Sequence, residues 1–379
     1  GEALPAFDLA LASNNRYADA YYHKGMTLSR LERFDEAIAA FNAVLAIQPD
    51  YPDAVYERGR ACIHTGNFKE AITAFDQALL LNPGNASALY EKGRAQLSLG
   101  TLSSAITTFD RAIDINPSCW QALFWKGRAF FEQGNFDGAI TAFDHALEIM
   151  PRLAVLYDHR GLAYASLEQF REAIQSYDHA LELDHLPVVF SHKGVSLTEL
   201  GMYRDAIEAF DKALEQDADL AEAWLGKGNA LYDLGKYADA EEAYNHGLSL
   251  DPENAVAWTR QGMVLSSRQK YEEAIESYDR ALLIDPTFSI AYFTRGSALI
   301  AMNRNEEAVE AFNAMLRIQP EFVDAYIHKG RALLEMGMYQ DALATLKQGL
   351  EIEPGRKEIW NDIGDILDKI GKPEEAKIC

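Results

Sequence analysis

The stretch YEKGRAQLSLG, Tyr90–Gly100, consists of good helix formers except at one place. Glu91, Lys92, Arg94, Ala95, Gln96 and Leu97 favour helix, whereas Gly93 among them costs about 1 kcal/mol relative to Ala. The copies of that glycine explain it. A glycine recurs at 25, 59, 93, 127, 161, 194, 228, 262, 296, 330 and 364, spaced by 34 residues except once, where the spacing is 33. Lys or Arg precedes it in nine of the eleven copies, the exceptions being Gln261 and Ile363. A fixed period of this size is the signature of a repeat architecture, in which each unit is one supersecondary element.

With the glycine as position 8, position 20 is Ala in every unit, from Ala37 to Ala376. Position 24 is aromatic in nine of the ten units that reach it, from Phe41 to Phe312, with Leu346 the tenth. Position 32 is Pro in eight units. Two amphipathic stretches per unit are separated by a turn near position 15, often at a glycine such as Gly66 or Gly100. The proline cannot continue a helix and closes the unit. Small residues at 8 and 20 let helices approach, and the ring at 24 fills the space beside them. Helix B often opens on a polar residue with an acid three places on, as in Asn67 to Glu70, which predicts a capping box. One hairpin cannot bury its own apolar face, so the units must stack.

These residues resemble the tetratricopeptide repeat (TPR) family, whose pattern is an aromatic at 4, Gly at 8, Ala at 20, an aromatic at 24, Ala at 27 and Pro at 32. Position 4 is Tyr21, Tyr157, Phe190, Trp224, Trp258, Tyr292, Tyr326 and Trp360, with Val55, Leu89 and Leu123 departing from it. Val44, Gly247, Met315 and Gly349 depart from Ala at 27, and position 7 is mostly Lys or Arg. The resemblance implies an all-α, right-handed superhelical solenoid of antiparallel helix pairs over 1–379. It would comprise the second half of a preceding repeat at 1–17, then repeats 18–51, 52–85, 86–119, 120–153, 154–186, 187–220, 221–254, 255–288, 289–322 and 323–356, and a truncated last repeat at 357–379. On this division the chain is expected to be a fragment of a longer array, the alternative being that the half-repeats are themselves its caps. Ile363, Ile366, Leu367 and Ile370 are then expected to be exposed at its end and to favour end-to-end self-association.

Repeat five is the irregular one, with 33 residues and His185 where the proline belongs. Pro187 is expected to take over the punctuation, since proline suits the first turn of a helix. A change of pitch is expected between repeats five and six.

The formal net charge of −23 argues against a general nucleic-acid binder, which carries a basic face. No apolar run reaches the length of a membrane span. Cys62, Cys119 and Cys379 have no metal-ligand or redox spacing, which favours reduced, cytoplasmic surroundings. His159, His185 and His192 have no ligand partner at metal spacing apart from Asp158, so no metal or cofactor is expected. No nucleophile motif, phosphate loop or carboxylate pair predicts catalysis.

The family resemblance also implies that helix A lines the inner groove through positions 2, 5, 6, 9, 12 and 13. In repeats one to four, position 5 is Tyr22, Tyr56, Tyr90 and Phe124, and position 9 is Met26, Arg60, Arg94 and Arg128. Rings hold an extended chain and guanidinium forks take carboxylate or phosphate, so this half is expected to bind an acidic or phosphorylated peptide. The bland reading is that Arg60 and Arg94 pair with Glu57 and Glu91 on their own helices, and that the tyrosines are packing residues. In repeats seven to ten, Leu225, Thr259, Phe293 and Ile327 at position 5, with Asn229, Met263, Ser297 and Arg331 at 9, suit an apolar partner. The Lys and Asn clamp of chaperone-binding members is absent: around Asn229 stand Leu225, Arg260, Ile290 and Thr294. The expected function is a non-catalytic protein-interaction scaffold. The alternative is the recognition arm of a larger enzyme, such as a glycosyltransferase with a helical-repeat array.

Overall fold

The computed structural model describes residues 3–372, and every regular element among them is an α-helix. The chain divides into two compact units, Gly1–His185 and Leu186–Cys379, whose boundary falls at the irregular connection. The first unit opens with helix Ala3–Ser13 and continues as five helix pairs, from Ala18–Arg30 with Phe34–Ile47 to Ala154–Ser166 with Phe170–Leu183. The second unit holds five pairs, from Pro187–Glu199 with Tyr203–Gln216 to Val323–Glu335 with Tyr339–Ile352, and the helix Lys357–Lys369. Each helix A begins at position 1 of its repeat. Pro187 stands in the first turn of its helix, after Leu186 in extended backbone, as expected.

The core repeats with the sequence. The Ala at position 20, from Ala37 to Ala342, and the ring at 24, from Phe41 to Phe312, are buried, Phe109 and Ala105 both at 0% exposure. A β-carbon built at Gly93 would lie 2.5 Å from Phe109 Cε1 and 2.7 Å from Cδ1. Gly25, Gly59, Gly127, Gly161 and Gly194 face the ring sixteen residues on in the same way. The glycine therefore makes room for the ring of its own helix B, and that ring carries the close approach between the two helices. Gly100 closes helix A at φ +72°, a left-handed turn. Glu32, Glu168, Gln269 and Asn303 hold the same turn at φ 58–61° without glycine's freedom.

Two patterns left open by the sequence acquire a cause. Six of the position-4 rings carry a donor that bonds the carbonyl six residues earlier, at position 32 of the preceding repeat. Trp224 Nε1 donates to Ala218 O at 2.9 Å, Trp258 to Pro252 at 2.9 Å, Trp360 to Pro354 at 2.9 Å and Tyr326 Oη to Pro320 at 3.0 Å. In the six pairs that follow, the base at position 7 reaches the acid at position 25 of the preceding repeat, while Arg58 bonds Asn42 there at 3.3 Å. Lys24–Asp8, Lys92–Asp76, Lys126–Asp110 and Lys227–Asp211 lie at 2.6 Å, Arg295–Asp279 at 2.7 Å and Arg160–Asp144 at 2.9 Å. Where Gln261 replaces the base, Asn245 replaces the acid, and the two bond at 2.5 Å. Ile363 at position 7 comes with Lys347 at position 25.

Two expectations are corrected. Asn67 does not cap its helix: its side chain donates to Thr65 Oγ1 at 3.0 Å and accepts no backbone N–H. Side-chain caps form at the starts of Asn85, Asn135 and Asn254, two of which open helix A. The aliphatics of the last helix are not exposed. Ile366 is at 0%, Ile363 and Leu367 are buried and Ile370 is partly buried, because they pack on Val323, Leu333 and Leu346 of repeat ten. Expectations on Ala376 and Cys379 fall outside the described residues.

Candidate functional site

Within the first unit, the position-5 and position-9 side chains form a row on successive helices A. The rings are half-buried. Tyr22 stacks on Tyr51 at 5.3 Å, Tyr56 tilts against Phe75 at 5.9 Å and Phe124 against Phe143 at 6.0 Å. Tyr22, Tyr56 and Phe124 thus lie against the position-24 ring of their own repeats, Tyr22 being 6.1 Å from Phe41. Burial pushes the Tyr56 phenol up to about 12, with the Glu91 carboxylate adding to the shift, and burial raises Tyr22 and Tyr90 as well.

The guanidiniums lie over these rings. Arg60 is 6.0 Å from the Tyr56 centroid, and Arg94 is 5.7 Å from Tyr90 and 5.0 Å from Trp125. Arg128 lies 4.7 Å from Trp125, so that indole is in contact with two guanidiniums. Each pair is favourable by about 0.5–1 kcal/mol at an exposed site.

The helix-internal ion pairs are present too. Arg60 Nη1 reaches Glu57 at 3.2 Å, and Arg94 Nη1 reaches Glu91 at 2.9 Å. In both, the acid engages one nitrogen of the fork. Arg94 Nε is buried without a hydrogen-bond partner. Burial pushes the Glu57 carboxyl up against the pull of Arg60. Arg128 differs: its contact with Glu132 is 3.7 Å, beyond hydrogen-bond length.

Two cavities open on the row. One of 480 Å³ lies between repeats one and two, lined by Met26, Arg30, Phe34, Glu57, Arg60 and His64 among others. His64 stacks on Phe34 at 4.3 Å, almost parallel. The other, of 250 Å³, lies between repeats four and five. Trp125, Phe131, His159 and Leu162 complete this site and were not singled out for it from sequence. Their signal is an aromatic at positions 6 and 12 of repeat four, where the preceding repeats carry Glu91 and Leu97.

In the second unit Thr259 and Ile327 are packed away, whereas Leu225, Asn229, Met263, Phe293 and Ser297 are half-buried like the rings of the first unit, and Arg331 is exposed. Ile327 is 3% exposed and Thr259 is 2% exposed, so neither offers a partner much surface. Leu225 leans over Gly247, Asn229 accepts the Tyr244 hydroxyl proton, and Met263 and Phe293 pack on the core around Tyr278 and Phe312. Among the described residues no group of His, Cys, Asp and Glu is arranged to hold a metal ion. No described helix is long and apolar enough to cross a membrane.

Sequence models of the tetratricopeptide repeat match residues 1–52, 22–86, 56–118, 90–153, 192–255 and 225–287. Related models of the same repeat match 154–184, 265–334 and 333–378. A comparison with curated proteins gives no match. Among solved structures, the APC/C hetero-tetramer Cut9–Hcn1 is 15% identical over 93% of this chain and 84% of that one, with a TM-score of 0.52, a likeness of fold. Yeast Tom70 is 17% identical over 96% of each chain, with a TM-score of 0.43. YrrB, described as a TPR protein with an unusual peptide-binding site, is 25% identical over 47% of this chain and 92% of that one, at 0.41.

Proposed function

Because the chain belongs to the tetratricopeptide repeat family, whose members serve as protein-interaction scaffolds, we propose that it is a non-catalytic scaffold. Its helix-A row in repeats one to four holds an extended peptide that is acidic or phosphorylated. The observation that carries this reading is the line of guanidiniums laid on rings: Arg60 on Tyr56, Arg94 on Tyr90 and Trp125, Arg128 on Trp125. Contact with the rings restricts these side chains, so less of their freedom is lost when they meet carboxylate or phosphate. The acids beside Arg60 and Arg94 engage one nitrogen each and leave donors over. Partly exposed pairs of this kind are worth roughly 0–1 kcal/mol, which a phosphate or carboxylate with better geometry exceeds.

The test is an array of acidic and phosphorylated peptides probed with the full chain and with Arg60→Ala/Arg94→Ala/Arg128→Ala. Binding is expected to weaken in the triple variant and to fall with added salt in the wild type. Equal binding by both proteins overturns the role of the arginines.

A further inference from the structure

The 250 Å³ cavity between repeats four and five differs from the rest of the row in two ways. It is walled by Phe131 and Leu162, with His159 beside them, and its charged lining is Arg128 and Glu132. Its volume exceeds the roughly 150 Å³ that suffices to hold benzene. The walls are set. Phe131 meets Phe136 edge-on at 5.2 Å, and His159 meets Phe124 edge-on at 4.9 Å. His159 Nδ1 lies 2.9 Å from the Val155 carbonyl, which ties the ring to its own helix.

Arg128 is the guanidinium of the row that makes no hydrogen bond among the described residues, its ion pair with Glu132 being a long one. It rests on Trp125 at 4.7 Å, and its approach to Glu132 is 3.7 Å. Arg60 and Arg94, by contrast, each bond a glutamate. A guanidinium held by one long ion pair at the mouth of an apolar cavity complements one chemistry: a large apolar group with an anion close by.

We infer that this cavity is the anchor subsite of the scaffold, and that its occupant is an internal segment of a partner peptide. A Phe or large aliphatic side chain of that segment enters between Phe131 and Leu162. A carboxylate within two residues of it pairs with Arg128, since alternate side chains of an extended chain point to the same face. Arg128 is the specificity-determining residue and Trp125 positions it. The inference rests on the scaffold reading and narrows it to one pocket and one side-chain pair.

The probes are short capped Gly/Ser peptides carrying Phe with Glu two places on, the same peptide with Gln for Glu, and the same with Ala for Phe. The full chain is titrated with each, following the indole N–H resonance of Trp125, assigned by Trp125→Phe, together with peptide anisotropy. The Phe–Glu peptide is expected to shift the resonance and bind about tenfold tighter than the Gln peptide, the loss of one charge-assisted bidentate contact. In Arg128→Gln that preference should vanish while Phe over Ala persists. Leu162→Trp should fill the cavity and abolish the Phe dependence, with thermal melts confirming that both variants fold.

Outcomes separate this inference from the scaffold reading. If arrayed acidic peptides bind but ignore Leu162→Trp and Arg128→Gln, the scaffold stands and the anchor subsite is refuted. If the Phe–Glu peptide needs both residues yet ignores Arg60→Ala/Arg94→Ala, the subsite stands and the longer row is not used. If neither the arrayed nor the probe peptides bind at millimolar concentration, both fail.

Discussion

Gly93→Ala adds one methyl group to an otherwise strong helix, and propensity alone forecasts a gain of about 1 kcal/mol. The structure forecasts a loss. The new carbon would lie 2.5 Å from Phe109 Cε1, 2.7 Å from Cδ1 and 2.8 Å from Cζ. Relaxed carbon contacts sit at roughly 3.5–4.0 Å, so the ring must retreat by about 1 Å. Phe109 has nowhere to go: it is at 0% exposure, among Ala105, Ala112 and Ala122, which are at 0% as well. Overpacking of this kind costs about 1–3 kcal/mol. Subtracting the propensity gain leaves a net loss of up to about 2 kcal/mol. Long repeat arrays depart from two-state unfolding, so a global melt alone is a poor measure. Native-state hydrogen exchange, read over Ala86–Ser98 and Leu102–Ile115, places the loss where the clash is. Phe109→Ala removes the obstacle, and in that background Gly93→Ala should be neutral or stabilising, a coupling above about 0.5 kcal/mol. Protection in Gly93→Ala equal to or above wild type, or the same cost in both backgrounds, refutes the account.

The remaining expectations are smaller. Glu168 holds the left-handed turn at φ 59°, so Glu168→Gly should relieve up to about 1 kcal/mol of strain and raise native-state hydrogen-exchange protection in the two helices it joins; lower protection contradicts this. Trp224→Phe keeps a ring but loses the donor to the Ala218 carbonyl, and should destabilise by roughly 0.5–1.5 kcal/mol in urea titration. A Phe variant as stable as wild type would leave that bond without consequence. The Tyr56 phenol is pushed up to about 12, above its value of about 10 in an unfolded chain. The fold thus favours its neutral form: that stability is complete below pH ~10 and is lost as pH rises through about 12. Difference absorbance of wild type minus Tyr56→Phe should show no phenol titrating near pH ~10.

Much of the repeat was legible because its signals are local. Helix length, the turn at position 15 and the proline stop depend on φ/ψ preferences of single residues, which a chain carries with it. That Gly93 faces a neighbouring helix was legible too, since the glycine's low propensity had to have a reason, whereas its partner, the Phe109 ring, was read only as filling the space beside it. The base before that glycine was equally regular, yet its cause lay sixteen residues back in another repeat. Only stacking brings Lys92 to Asp76 or Lys126 to Asp110. The indole at position 4 is the same case, its acceptor being a carbonyl that the preceding repeat presents.

The candidate site shows the limit most sharply. Period placed Tyr56, Arg60, Arg94 and Arg128 on one face, but it placed Ile327 and Thr259 there as well, and those are buried. Asn67 was assigned a cap from spacing and instead found Thr65. Which of the three arginines goes without a hydrogen bond depends on how near a glutamate's carboxylate comes, 2.9 Å for Arg94 against 3.7 Å for Arg128. Sequence decides which helices form and which of their faces are apolar, because backbone preference and hydrophobicity belong to each residue. Whether a side chain on such a face is covered, paired or left open is decided by the neighbouring helix, because solvent exposure and hydrogen bonding are properties of what stands opposite.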